Sequence, residues 1–119
     1  EIGRFLDQLM AAKIIVARRV EQEFCMDKDT LGKLRKEDLS VSVSTLRKMP
    51  FVIAHYLAEN LRLVESEARG KEQQEKIAGI NAYIDEYKKI FGYQADVCLR
   101  FIDEGRDLRL ILSTRMKRD

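Results

Sequence analysis

The chain has 119 residues, of which 35% are charged and 45% hydrophobic, a composition typical of a soluble globular domain rather than a disordered segment. Its 22 basic and 20 acidic residues leave a net charge of +2, which is too balanced for a dedicated polyanion-binding protein. No apolar run approaches the roughly 20 residues of a membrane-spanning helix, so we expect no membrane association.

The N-terminal residues 2–24 predict one long helix, because apolar residues recur at helical spacing. Within it, Leu9–Ala17 is apolar except for Lys13. A helix that is apolar around most of its circumference is either central in a bundle or shared with a partner. The second alternative predicts that Ile15→Glu dissociates an assembly rather than unfolding the protomer. It predicts a partner interface formed by Leu9, Met10, Ile14, Ile15 and Ala17.

The thirteen residues that begin at Asp27 resemble the calcium-binding loop of an EF-hand. Asp27, Asp29 and Gly32 match at loop positions one, three and six. Leu31 and Asp38 depart from the pattern at positions five and twelve, because leucine has no side-chain oxygen and aspartate is too short for the bidentate contact. We therefore expect a helix end followed by a capped turn, and neither calcium nor another metal.

The next segment, Leu39–Ser44, alternates strictly between apolar residues and serine, which is a strand signal. No other part of the chain offers a second strand. An extended loop is the favoured interpretation, although the segment fits equally well the start of the next helix, with a serine as its cap.

Three further helices are predicted in the remaining sequence. One begins or kinks at Pro50 and reaches about Ala68, and a turn or short break follows at Gly70. Residues 71–91 and 94–117 each hold an apolar seam with heptad spacing. The first seam stops at Gly92, and Gly105 lies on the second, where it allows a close approach or marks a kink.

Together these elements predict an all-α chain. We expect a single compact bundle of four to five helices, mostly antiparallel. Residues 1–119 form one domain, which we expect to be a fragment of a longer protein.

The sequence offers few residues for catalysis or metal binding. It has one histidine, His55, and two cysteines, Cys25 and Cys98, which are too far apart for a C-x-x-C motif. We expect two reduced core thiols in an intracellular, reducing compartment, the cytoplasm or the nucleus. We expect no cofactor and no enzymatic activity.

Two windows, residues 28–48 and 100–118, are locally basic. If they meet on one face they form a patch able to contact phosphates, and otherwise they are solvated helix faces. The candidate nucleic-acid contacts are Lys33, Arg35, Lys36, Arg47, Lys48, Arg100, Arg106, Arg109, Arg115, Lys117 and Arg118.

Two functions follow from these patterns. The first is a non-catalytic interaction module, an adaptor that self-associates or docks a partner protein. The alternative is a nucleic-acid-binding helical domain, or the small subunit of a nucleoprotein complex, that uses the two basic windows.

Overall fold

Every regular element in the described part of the chain is a helix. A computed structural model describes residues 2–36 and 40–118, with side chains through residue 114. The all-α prediction is confirmed, but these residues form seven helices rather than four to five. Turns divide two of the predicted helices, and Thr30–Arg35, in a segment predicted to be a turn, forms a further short helix. The seven are α1 (Ile2–Ala11), α2 (Ala17–Glu23), α3 (Thr30–Arg35), α4 (Val43–Glu67), α5 (Gly70–Phe91), α6 (Tyr93–Asp103) and α7 (Leu108–Arg118).

The predicted long helix over residues 2–24 is wrong, because the chain leaves the helical path after α1. Lys13 has a φ of 62°, in the left-handed region. Its N–H donates to the carbonyl of Met10, and the N–H of Ile14 donates to the carbonyl of Leu9, both at 3.0 Å. These two bonds form a Schellman motif, which satisfies the last carbonyls of α1. Ile14 and Ile15 then turn inward and are buried.

We expect Lys13→Gly to stabilise the protein. A left-handed conformation costs a residue with a side chain about 1 kcal/mol, and glycine adopts it freely at some cost in unfolded-chain entropy. The net gain should be about 0.5 kcal/mol, visible as a rise in melting temperature of a few degrees in a thermal scan. Lys89→Gly, in the last turn of α5, is the matched control and should lower the melting temperature, since glycine has a lower helix propensity than lysine.

A second turn divides the predicted helix over residues 94–117 into α6 and α7. Gly105 has a φ of 77° and its N–H donates to Ile102, while the N–H of Arg106 donates to Phe101, both at 2.9 Å. This is again a Schellman motif. Gly105 therefore ends α6 instead of kinking a continuous helix.

The helix around Pro50 begins earlier than the sequence predicted. Ser42 caps α4, since its hydroxyl accepts the N–H of Thr45 at 3.2 Å. Val43 and Ser44 therefore begin the helix with a serine as its cap, as the second interpretation had it, whereas Ser40 and Val41 precede it in a turn and a bend, and Leu39 lies outside the described residues. Pro50 lies inside α4, and its carbonyl accepts the buried Tyr87 hydroxyl of α5 at 2.7 Å. The predicted break at Gly70 is present, since α4 ends at Glu67 and Gly70 begins α5, and the predicted stop at Gly92 is confirmed; both glycines have positive φ.

The core is organised around α4, which contacts α5, α6 and α7, while α1 packs against α3. The central part of α4 is almost wholly buried, with the exposure of Val52, Ile53 and Leu57 at 0%. The seam of α5 faces this core through the buried side chains of Ile80 and Tyr87. Within the described ranges, no helix is long and apolar enough to cross a membrane.

Candidate functional site

A cluster of charged side chains joins α2, α4 and α7. Its centre is the carboxylate of Glu23, which accepts a hydrogen bond from the hydroxyl of the buried Tyr56. Arg19 donates to Glu59 at 2.8 Å and lies 3.4 Å from Glu23. Arg109 approaches the other oxygen of Glu23 at 3.7 Å. We call these five residues the Glu23 cluster.

The protonation states of this cluster follow from its contacts. Burial of the Glu23 carboxyl acts to raise its pKa, but the hydrogen bond from Tyr56 and the charge of Arg19 outweigh it and hold the pKa below its usual range. Burial and the neighbouring Glu23 raise the pKa of the Tyr56 hydroxyl. At neutral pH the pair is therefore a carboxylate and a phenol that donates to it.

His55 lies beside this cluster between aromatic rings. Its imidazole contacts Phe24 and Tyr56 edge to face, with ring centroids 5.4 and 4.8 Å apart. Burial lowers the pKa of His55, and the nearby guanidinium of Arg109 lowers it further. The second carboxylate oxygen of Glu59 is buried without a hydrogen-bond partner among the described residues.

A cavity of about 220 Å³ opens next to His55, between α4 and the turn that joins α6 to α7. Gly105 ends α6 above it, and Asp107 starts α7 by accepting the backbone N–H of Arg109 at 2.9 Å. Three arginines line the cavity. We call this cavity the cationic pocket, and its charged or titratable lining residues are His55, Arg62, Arg106, Asp107 and Arg109.

The arginines of the cationic pocket differ in their partners. Arg109 is bound to Asp107, with its Nε 3.2 Å and its Nη2 3.1 Å from the two carboxylate oxygens. Arg106 lies over the ring of Phe101, 4.5 Å from its centroid. In the part of the chain that the structure describes, neither Arg62 nor Arg106 has a carboxylate within 4.0 Å.

A groove of about 590 Å³ with both apolar and charged lining residues lies between the end of α2 and α7. We call it the α2–α7 groove. Its apolar lining is Phe24, Cys25, Leu110 and Leu112, and its polar lining is Glu23, Lys48, Asp107, Arg109 and Ser113. It shares Asp107 and Arg109 with the cationic pocket, so the two depressions adjoin.

The five residues predicted to form a partner interface lie mostly in the core of the single chain. Leu9, Ile14 and Ile15 are 0%, 6% and 1% exposed, and Met10 and Ala17 are half-buried. The prediction depended on a continuous helix, in which an apolar circumference needs a second protein to cover it. The turn at Lys13 removes that requirement, because it folds both isoleucines back onto the chain's own core.

The structure brings together only some of the predicted nucleic-acid contacts. Lys48 and Arg109 line the α2–α7 groove, and Arg106 joins Arg109 in the cationic pocket. Arg100 lies in a separate groove of about 420 Å³ between α4, α5 and α6. Lys33 and Arg35 lie on α3, where Arg35 pairs with Asp7, and Lys36 is the C-cap of that helix. Arg47 is exposed on α4. The side chains of Arg115, Lys117 and Arg118 lie outside those that the structure describes.

The resemblance to an EF-hand loop does not extend to its geometry. Gly32 lies inside α3, where the calcium loop needs a sharp turn, and Asp29 precedes α3 as its N-cap residue. Glu37, Asp38 and Leu39 lie outside the described residues. Among those described, no group of three or more His, Cys, Asp or Glu side chains is placed to hold a metal ion.

Sequence reasoning missed Arg62, Phe24, Leu110 and Leu112 as site residues. Arg62 follows His55 by seven residues, or about two helical turns, so the two share a face of α4, and this signal was present in the sequence. Their proximity to Arg106 and Arg109 depends on the packing of α4 against the α6–α7 turn, which the sequence pattern does not reveal. The prediction of two core thiols is half right, since Cys98 is buried and Cys25 is exposed.

No protein-family model, curated protein or solved structure matches this chain.

Proposed function

We propose that this chain is a protein-interaction module that binds a short peptide segment of a partner protein in the α2–α7 groove. The observation that carries the proposal is the exposed apolar side chain of Leu110, 67% accessible, beside a groove whose lining includes the buried Phe24 and Leu112. The volume of about 590 Å³ lies within the range of sites that bury small ligands or a few peptide side chains.

The charges at the rim specify the chemistry of the segment. Lys48 lines the groove and has no carboxylate within 4.0 Å among the described residues. Arg109 lies where the groove meets the cationic pocket, but its charge is paired with Asp107 and Glu23, so Lys48 is the cation that the groove leaves for an acidic group of the segment. A segment with one or two large apolar side chains flanked by an acidic group complements this arrangement. Nucleic-acid binding through the two basic windows stays a prediction.

The test is selection from a displayed random-peptide library on the wild-type chain, followed by affinity measurement on the enriched peptides. We expect Leu110→Asp to weaken their binding at least tenfold, because the substitution places a charge at the apolar anchor. Stability should change by no more than about 0.5 kcal/mol, since the side chain is exposed. Leu63→Asp, at an exposed leucine on α4 outside the groove, is the matched control and should bind like wild type.

Three outcomes would overturn the proposal. One is a failure to enrich any peptide, and another is an equal loss of affinity in the Leu110 and Leu63 variants. The third is concentration-dependent dimerisation in sedimentation velocity that Leu110→Asp abolishes, because the groove would then be occupied by a second copy of the chain.

A further inference from the structure

We propose that the cationic pocket receives a phosphoryl group carried by the partner segment, so that the chain is a phosphopeptide-binding module. This inference depends on the proposed function, since the segment is the one that occupies the α2–α7 groove. The inference is based on the position of the pocket, which adjoins the groove at Asp107 and Arg109. Arg62 and Arg106 line the pocket beyond this shared wall.

The charge of the pocket suits a dianion better than a carboxylate. Arg109 is already paired with Asp107 and lies 3.7 Å from Glu23. Arg62 and Arg106 have no carboxylate within 4.0 Å among the described residues, which leaves their two positive charges unpaired when His55 is neutral. A phosphorylated side chain carries about −1.5 to −2 charges at neutral pH. Arginine is also the residue that binds phosphoryl oxygens with paired, parallel N–H donors.

Two arginines of the pocket have donors available to a ligand. The guanidinium of Arg106 lies over the ring of Phe101, a contact that uses none of its N–H donors. Arg62 projects from α4 on the opposite wall of the cavity. A water molecule occupies about 30 Å³, so the cavity of about 220 Å³ has room for a phosphoryl group together with a few waters. The start of α7 adds partial positive charge from its backbone N–H groups.

The shared wall sets the spacing of the ligand. A segment whose apolar side chain lies against Leu110 must pass Arg109 to reach Arg62 and Arg106. The phosphorylated residue is therefore expected within a few residues of the apolar anchor. Arginine clusters that read phosphorylated peptide motifs are a recurring mode of recognition.

The first experiment tests the pocket alone, with inorganic phosphate as the probe. Phosphate is titrated at constant ionic strength against chloride, and the ring protons of His55, the chain's one histidine, are followed by NMR. We expect saturable binding that Arg62→Gln and Arg106→Gln weaken at least fivefold. Arg100→Gln makes the same change in charge outside the pocket and should bind like wild type.

Bound phosphate should also raise the pKa of His55, because a dianion stabilises the imidazolium. The groups that already face this histidine are Arg109, which lowers its pKa, and Glu59, Glu23 and Asp107, which raise it. Absence of saturable binding, or an equal loss in Arg100→Gln, would overturn the pocket as a phosphoryl site, and an unchanged His55 pKa would do the same.

The second experiment compares phosphoserine and serine forms of the peptides selected on the groove. We expect the phosphorylated form to bind at least tenfold tighter, with Arg62→Gln removing the gain and Leu110→Asp weakening both forms. A pocket that binds phosphate without this gain would overturn the phosphopeptide assignment while leaving the groove intact. Binding of a single-stranded oligonucleotide that Arg106→Gln abolishes, with no peptide enriched, would overturn both and favour nucleic acid.

Discussion

Ile15→Glu is expected to unfold the protein rather than to dissociate an assembly. The side chain is 1% exposed in the core of the single chain, where a carboxylate would have no cationic partner. An unpaired buried charge costs at least about 4 kcal/mol, a large part of the 5–15 kcal/mol that stabilises a typical domain. Urea denaturation followed by circular dichroism should show a largely lost transition, and the residual folded protein should have the same sedimentation coefficient as wild type.

Val16→Glu is the matched control for this experiment. Val16 is the next residue, but it is 43% exposed and precedes α2 as its N-cap residue. The same change there should alter the free energy of unfolding by no more than about 0.5 kcal/mol. If instead the wild type is an oligomer and Ile15→Glu is a folded monomer, the segment forms a partner interface. That result would contradict the role of Ile15 as a core residue of the single chain.

Glu23→Ala is expected to destabilise the protein by about 2–3 kcal/mol. The substitution leaves the hydroxyl of the fully buried Tyr56 without its acceptor and removes a carboxylate from between Arg19 and Arg109. Losing a hydrogen bond to a charged group costs about 1.5–3 kcal/mol, and an unsatisfied buried donor adds to that. Glu21→Ala on the same helix removes a carboxylate with no ion pair among the described residues, and should be nearly neutral.

A double-mutant cycle with Tyr56→Phe separates the hydrogen bond from the rest of the cluster. Because the phenylalanine removes the donor that Glu23→Ala orphans, the double variant should lose about 1–2 kcal/mol less than the sum of the single variants. Strict additivity would show that the Tyr56–Glu23 contact contributes nothing to stability.

The acid dependence of stability gives an independent readout of Glu23. Its folded-state pKa lies below the ordinary value of 4.5, so the folded state binds fewer protons than the unfolded state in that range. Its contribution is fully present above about pH 4.5 and is lost as the pH falls through the folded-state pKa. Glu23→Gln should therefore show a shallower loss of stability in acid than wild type. Parallel curves would contradict the assignment.

The fold was predictable where one residue type marks a boundary. Gly70 and Gly92 both adopt positive φ at helix junctions, and the heptad seam of residues 71–91 does face the core. The turn at Lys13 was not predictable, because lysine is a good helix former and carries no signal for a left-handed conformation. Tertiary burial of Ile14 and Ile15 overrides that local preference, which no periodicity within residues 2–24 reveals.

The candidate site was predictable only in part. Arg106 and Arg109 were singled out for phosphate contact, and both line the cationic pocket. Their neighbour Arg62 comes from a different helix, and its position depends on how α4 packs against the α6–α7 turn. The α2–α7 groove depends on the same kind of contact, since Phe24 and Leu110 are far apart in the sequence.

The unequal accessibility of the two thiols gives the groove a natural attachment point for a reporter. Cys25 lines the α2–α7 groove and is exposed, whereas Cys98 is buried within the bundle. Maleimide reagents modify accessible thiols far faster than buried ones. A single fluorophore can therefore be attached at the groove in the unaltered sequence, and occupancy of that groove can be followed as a change in its emission.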